Sequence, residues 1–188
     1  MKAVFEEIFL LAKPYLDTRK NDIHTEISTK LAYRLLAEEG GNENIVVPGI
    51  ILHDVGWKAI PEDLQLKAFG PKAISPELNR KHEVRGVKIA RRILEKVHYD
   101  GTETNLILEI IDGHDSRKQA VSLDDKIVKD ADKLFRYTKE GLSINTKRFR
   151  ETIAEVVGRY RSNIDEWFFT DSAKRIAGEE LDKALRSL

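Results

Sequence analysis

The sequence predicts an all-α fold, a compact multi-helix bundle, and three observations carry that expectation. Apolar residues recur at helical spacing in successive stretches: Ile27, Leu31, Leu35 and Leu36; then Val84, Val87, Ala90, Ile93, Leu94 and Val97; then Leu123, Ile127, Val128, Ala131, Leu134 and Phe135. A shorter run, Ile50 to Leu52, is apolar on more than one face, as expected of a helix surrounded by others. Glycine and proline punctuate the intervals at Gly40-Gly41, Gly56, Gly70-Pro71 and Asp100-Gly101.

Val4, Ile8, Leu11 and Ala12 precede Pro14, so residues 2–12 are expected to form a short packing helix. A polar connection, Tyr15 to Asn21, leads to a helix capped by Asp22 and stopped at Gly40-Gly41, with His24 in its first turn. The central helix is expected over Ile45 to Val55, with Pro48 in its first turn, where a missing N–H costs nothing. It ends on the adjacent His53 and Asp54, and Gly56 lets the chain turn away.

Residues 57–81 read as a long connection broken by Pro61, Gly70, Pro71 and Pro76, with at most one short helix at 62–68. Lys58, Lys67, Lys72, Arg80 and Lys81 give it a basic bias. It is either a basic lid over a site or a solvated loop. Trp57 reads as a plug of this loop against the core, with stacking on a ligand base as the other reading. Helical patterning resumes at His82, with Arg85 on the same face, and runs to Asp100-Gly101. A further helix spans 103–111, His114 follows its end, and a polar surface turn leads into the helix that carries Asp130 and Asp132. His98 reads as a surface or helix-end group. Residues 138–146 are expected to be a loop, 149–160 a helix and 172–188 the last helix, with Trp167, Phe168 and Phe169 as an internal packing cluster or an oligomer contact.

Composition narrows the function. A chain of 188 residues suffices for one domain over 1–188, with a motif core at about 20–138 and a helical extension at 139–188. Lys plus Arg is 32 and Asp plus Glu is 32, which argues against an extended nucleic-acid partner while leaving room for a local basic patch. The absence of cysteine excludes disulfides, thiolate chemistry and iron–sulfur sites. The beginning of the chain does not read as a signal peptide, and no apolar run approaches the roughly 20 residues that cross a bilayer. A cytoplasmic enzyme fits best, with homo-oligomerisation open.

The five histidines are His24, His53, His82, His98 and His114, and four of them sit on separate predicted elements. That spread excludes a helix-borne His-x-x-x-His site and fits one assembled in three dimensions. Taken alone, His53-Asp54 could be an exposed helix end, and the aspartates near Asp132 an acidic edge balanced by Lys126, Lys129 and Lys133. Together, imidazoles and carboxylates without thiolates suit Mn, Fe, Co, Ni or Zn.

The ordered set His24, His53-Asp54, His82, His114 and Ala131-Asp132-Lys133-Leu134 resembles the HD-domain superfamily of metal-dependent phosphohydrolases, over roughly residues 20–138. The resemblance implies an HD-domain-like helical bundle that holds a divalent metal through His24, His53, Asp54 and Asp132. His82 and His114 resemble the added histidines of two-metal members. They are expected either to bind an optional second ion or to contact phosphate and move protons; Asp54, His82 and His114 are the catalytic candidates. With no clear further carboxylate, one strongly held ion is expected. The Gly-Tyr-Pro motif of the cyclic-dinucleotide branch is absent. The expected substrate is a small phosphate ester, foremost a nucleotide phosphomonoester, met by Lys58, Arg80, Lys81 and Arg85, with Arg19 and Lys20 nearby. A triphosphate pyrophosphohydrolase, a cyclic-nucleotide phosphodiesterase and a non-enzymatic ligand-binding module are the alternatives.

Overall fold

The computed structural model describes residues 1–68 and 73–187, and these form α-helices and 3-10 turns with no strand among them. Helix α3 (Glu43–Leu52) is the centre, and every residue from Ile45 to Leu52 is buried. Its all-round apolar surface is covered by α1 (Ala3–Leu16), α2 (Asn21–Glu39), α6 (Gly101–Ile111) and α7 (Leu123–Leu134). Helix α5 (Glu77–Lys96) closes the bundle against α6 and against a 3-10 turn, Val55–Ala59, that follows α3. One hydrophobic core runs from Phe5 in α1 to Ala184 in α11 (Asp171–Arg186). No helix among the described residues is long and apolar enough to cross a membrane.

Several boundaries differ from the sequence expectation, each for a physical reason. Helix α1 continues through Pro14 to Leu16, because Leu16 is drawn into the core while Leu10, whose carbonyl loses its donor at Pro14, lies on the exposed face. Asp22 does not cap α2. The cap position is Lys20, left-handed at φ 62° beside Arg19 at 50°, and Asp22 sits in the first turn, where its charge complements the helix dipole. Asn42 caps α3 two residues earlier than expected, which moves Pro48 into the second turn. The Asn44 carbonyl that Pro48 leaves without a donor accepts instead from the Tyr99 hydroxyl at 2.7 Å. Gly56 is not a turn-maker. A Cβ there would lie 1.9 Å from the His82 carbonyl oxygen and 2.6 Å from the Gly86 nitrogen, so Gly56 is what lets α5 press against the turn.

The long connection holds α4 (Glu62–Gln65) where a short helix was expected, and it is shorter than expected because α5 already begins at Glu77, placing His82 in its second turn. Gly70, Pro71 and Lys72 of that connection, and Leu188 of the last helix, lie outside the described residues. The expected loop at 138–146 is α8 (Lys139–Phe149), capped by the Thr138 hydroxyl. Its end at Arg150, left-handed at φ 55°, and a capping box at Thr152 and Glu155 start α9 (Ile153–Ser162) inside the stretch expected to be one helix. After α10 (Ile164–Trp167), the carboxylate of buried Asp130 receives the backbone N–H groups of Phe169 and Thr170 at 2.9 Å each. This anchors the C-terminal helices to α7. Phe168 and Trp167 pack internally against Tyr137 and Tyr160.

Candidate metal centre

Five elements deliver their polar ends to one place. The first turn of α2 brings His24, the end of α3 brings His53 and Asp54, the second turn of α5 brings His82, the turn after α6 brings His114 and Asp115, and α7 brings Asp132. His24 Nε2 lies 3.1 Å from His53 Nε2 and 3.2 Å from Asp132 Oδ1, and His53 Nε2 lies 3.5 Å from the same oxygen. On the other side, His82 Nε2 and His114 Nε2 are 3.1 Å apart, with Asp115 Oδ2 at 3.6 and 3.9 Å from them. Asp54 stands between the two groups. Its Oδ1 is 3.7 Å from His53 Nε2, 3.7 Å from His114 Nε2 and 3.9 Å from His82 Nε2, and its Oδ2 is 3.8 Å from His24 Nε2.

These residues fit a divalent cation. Donors about 2.1 Å from a common ion are separated by roughly 3.0–3.4 Å along the edges of an octahedron or tetrahedron, and the closest pairs in both groups have that spacing. The rings are also oriented for it. His53 Nδ1 bonds to the Ile50 carbonyl at 2.7 Å and His114 Nδ1 to the Ile111 carbonyl at 3.0 Å, so each Nδ1 carries the proton and each Nε2 offers a lone pair inward. Both His-Asp doublets thus end a helix and use the same bond to the carbonyl three residues back.

The electrostatics agree. Burial alone would raise the carboxyl of Asp54, but His53, His114, His24 and Arg19 hold it well below its usual range; burial is likewise outweighed at Asp132 by His24 and His53. Burial and the neighbouring His114 push His82 down to about 4. His114 is drawn the other way: burial opposes its charge, but Asp115 and Asp54 prevail and raise it to about 10. The spot between these rings favours positive charge.

Two buried ionised side chains outside the donor groups hold the turn that carries His114 and Asp115. Glu83 accepts from the Asp115 and Ser116 backbone N–H groups at 3.0 and 2.8 Å, from the Ser116 hydroxyl at 2.7 Å and from Arg80 at 3.0 Å. Opposite it, Lys129 donates to the carbonyls of Gly113, His114 and Arg117 at 2.8, 2.9 and 2.9 Å. All three ammonium protons are therefore used.

The donor groups form one wall of a cavity of about 340 Å³. Arg19 and Lys20 line it from the start of α2, and Arg136, Asn145, Arg148, Phe149, Arg159, Tyr160 and Trp167 line it from the C-terminal part. Arg136 lies one helical turn beyond Asp132, and its guanidinium sits 5.6 Å over the Trp167 ring. The expected extension thus walls the cavity and contributes no residue to the donor groups.

The structure brings together His24, His53, Asp54, His82, His114 and Asp132, and leaves the four expected substrate cations elsewhere. Lys58 is exposed and bonds to the Asp17 carbonyl at 2.8 Å, and Arg80 is engaged by Glu83 and Asp112. Lys81 and Arg85 line a separate, more open depression of about 580 Å³ with Ile60, Leu64 and Val84. The reason is helical register: α5 turns His82 and Gly86 inward against the 3-10 turn, which carries Arg85 out to solvent. His98 is exposed at the end of α5 and takes no part. One strongly held ion was expected for want of a further carboxylate, and Asp115 stands beside His82 and His114 as such a carboxylate. Its signal was present in the sequence, as a second His-Asp doublet at His114-Asp115 that repeats His53-Asp54.

A sequence profile of the HD domain matches residues 21–137. Among solved structures, the crystal structure of a predicted HD superfamily hydrolase from an uncultured Thermotogales bacterium aligns with a TM-score of 0.62, covering 97% of this chain and 87% of that one, at 17% identity. At that identity the likeness is one of fold. Comparison with curated proteins gives no match. The profile spans more than half of the chain and contains all seven residues of the two donor groups, and on that basis the chain belongs to the HD-domain family.

Proposed function

We propose that the protein hydrolyses a small phosphate ester with the help of a divalent metal, the substrate class being foremost a nucleotide phosphomonoester. The observation that carries this reading is the joining of two His/Asp donor groups to a cation-lined cavity. A volume of about 340 Å³ is at the small end of ligand pockets, which span roughly 300–1,000 Å³, and is a poor fit for a duplex nucleic acid. A divalent ion such as Mn, Fe, Co, Ni or Zn, held by His24, His53, Asp54 and Asp132, would neutralise phosphoryl oxygens and lower the pKa of a water; His82, His114 and Asp115 offer a place for a second.

The chain's own residues supply the rest. Arg19 and Arg136 face the cavity next to Asp54 and Asp132 and are suited to the phosphoryl oxygens that a carboxylate cluster would otherwise repel. Burial lowers Arg19 to about 10, and it remains a cation at neutral pH. Tyr160, Phe149 and Trp167 give the far wall aromatic surface for the organic part of the ester, with Asn145 as a polar neighbour. A cytoplasmic location is part of this proposal.

Pyrophosphate release from nucleoside triphosphates is the second reading, favoured by the number of cationic side chains: Arg19, Lys20, Arg136, Arg148 and Arg159 exceed what one phosphate needs. The test is a panel of nucleoside mono-, di- and triphosphates, cyclic nucleotides and an aryl phosphate, each with Mn, Fe, Co, Ni or Zn, with products separated. Phosphate from monophosphates is expected. Pyrophosphate from triphosphates would replace the first reading with the second, and no turnover by metal-loaded protein would reject both.

A further inference from the structure

Trp57 touches the donor groups in two ways that the family relationship does not assign. Its indole ring is stacked on His82, with centroids 4.0 Å apart and planes 13° from parallel, and its Nε1–H donates to Asp54 Oδ1 at 3.0 Å. That oxygen is the one shared by both donor groups, within 3.7 Å of His53 Nε2 and of His114 Nε2. The ring is 2% exposed, and the Trp57 carbonyl is held by the Gln65 amide at 3.0 Å. The Arg19 guanidinium lies 4.3 Å from the ring centre, so the indole also touches the cation wall of the cavity.

The stack on His82 replaces something that two of the other rings have. His53 and His114 are each fixed by a bond from Nδ1 to the carbonyl three residues back, whereas His82 Nδ1 is buried with no hydrogen-bond partner among the described residues. A ring without that bond can rotate about its Cβ–Cγ bond unless packing stops it. Trp57 supplies the packing from one side, and the absent side chain of Gly56 lets the ring reach α5 at that distance.

We infer that Trp57 is a positioning residue of the cation pair, aiming the shared oxygen of Asp54 by its N–H and holding the His82 ring by its face. This rests on the reading that both donor groups hold divalent ions. The two contacts separate in two variants. Trp57→Phe keeps a ring against His82 and removes the N–H; Trp57→Leu removes both.

The probe is Co(II) added to metal-stripped full-length protein, followed by bound equivalents and by the visible absorption of each, with circular dichroism as the fold control. The wild type is expected to bind two equivalents. Trp57→Phe should weaken both by about tenfold and shift the visible bands, because Asp54 Oδ1 serves both groups. Trp57→Leu should further weaken one equivalent, that of the His82 group, while the other matches Trp57→Phe. Wild-type affinities and spectra in folded Trp57→Phe would overturn the inference alone, as would equal losses in the two variants. Should Trp57→Leu not fold, Trp57→Phe decides. Fewer than two equivalents bound by the wild type would overturn the two-ion reading and this inference together.

Discussion

Replacing Gly56 by alanine adds one methyl group at the place where the 3-10 turn meets α5. The new Cβ would fall 1.9 Å from the His82 carbonyl oxygen and 2.6 Å from the Gly86 nitrogen, both backbone atoms of one helix. Ordinary carbon contacts begin near 3.4 Å, so the turn and the helix must part by more than an ångström. Overpacking of this kind costs about 1–3 kcal/mol, and the upper end applies because no flexible side chain can yield. For a chain of this length that is a fall in Tm of roughly 5–10 °C. The same change at Gly178 in α11, where a Cβ meets nothing within 4 Å, removes a helix-breaking residue and should stabilise by about 0.5–1 kcal/mol. Thermal and urea unfolding of the two variants would therefore show opposite signs. Metal content should fall in Gly56→Ala by the ion of the His82 group first, because the displaced helix carries that ligand. Equal responses at the two glycines would refute the argument.

Glu83 gives a pH prediction. Burial opposes its charge, but the Ser116 hydroxyl and backbone N–H, with His114 and Arg80, hold its carboxyl below the ordinary 4.5. A depressed carboxyl stabilises the fold above its unfolded value and loses that contribution as pH falls through the folded value. Urea unfolding of metal-free protein should therefore weaken below about pH 4.5, and Glu83→Gln should reduce that dependence; identical pH profiles would count against the role. Thr152→Ala removes one half of the capping box of α9 and should cost about 1 kcal/mol in chemical denaturation, with metal content unchanged. Tyr99→Phe strips the hydroxyl that donates to the Asn44 carbonyl left open by Pro48, and a similar loss of about 1 kcal/mol is expected by the same measurement.

What was legible in the sequence follows from which interactions are local. Helix α3 was readable because residues apolar on every face have only one comfortable place, and the stripes of α2, α5 and α7 were readable by their period. His24, His53, Asp54 and Asp132 could be matched because each stands at a recognisable position on its helix. The substrate cations could not. Whether Arg85 or Arg136 faces a cavity depends on the register in which α5 and α7 pack, and that is fixed by distant residues such as Gly56. Pro48 shows the same limit, since its position in the second turn is tolerated through a hydroxyl from Tyr99 on another part of the chain. Asp115 is a different case: the second His-Asp doublet was visible, and its meaning appears only when α6 is seen to end beside α3.

On the proposed function, two groups of imidazoles and carboxylates that share Asp54 hold divalent cations at the edge of the cavity. Anomalous diffraction from crystals of the purified, Mn- or Co-loaded protein, measured on both sides of the metal absorption edge, tests it most directly. Two peaks about 3.5–4 Å apart are expected, one among His24, His53, Asp54 and Asp132 and one among Asp54, His82, His114 and Asp115, both lost in Asp54→Ala. A metal-loaded crystal with no peak at either group, or with peaks that survive the loss of Asp54, would contradict it.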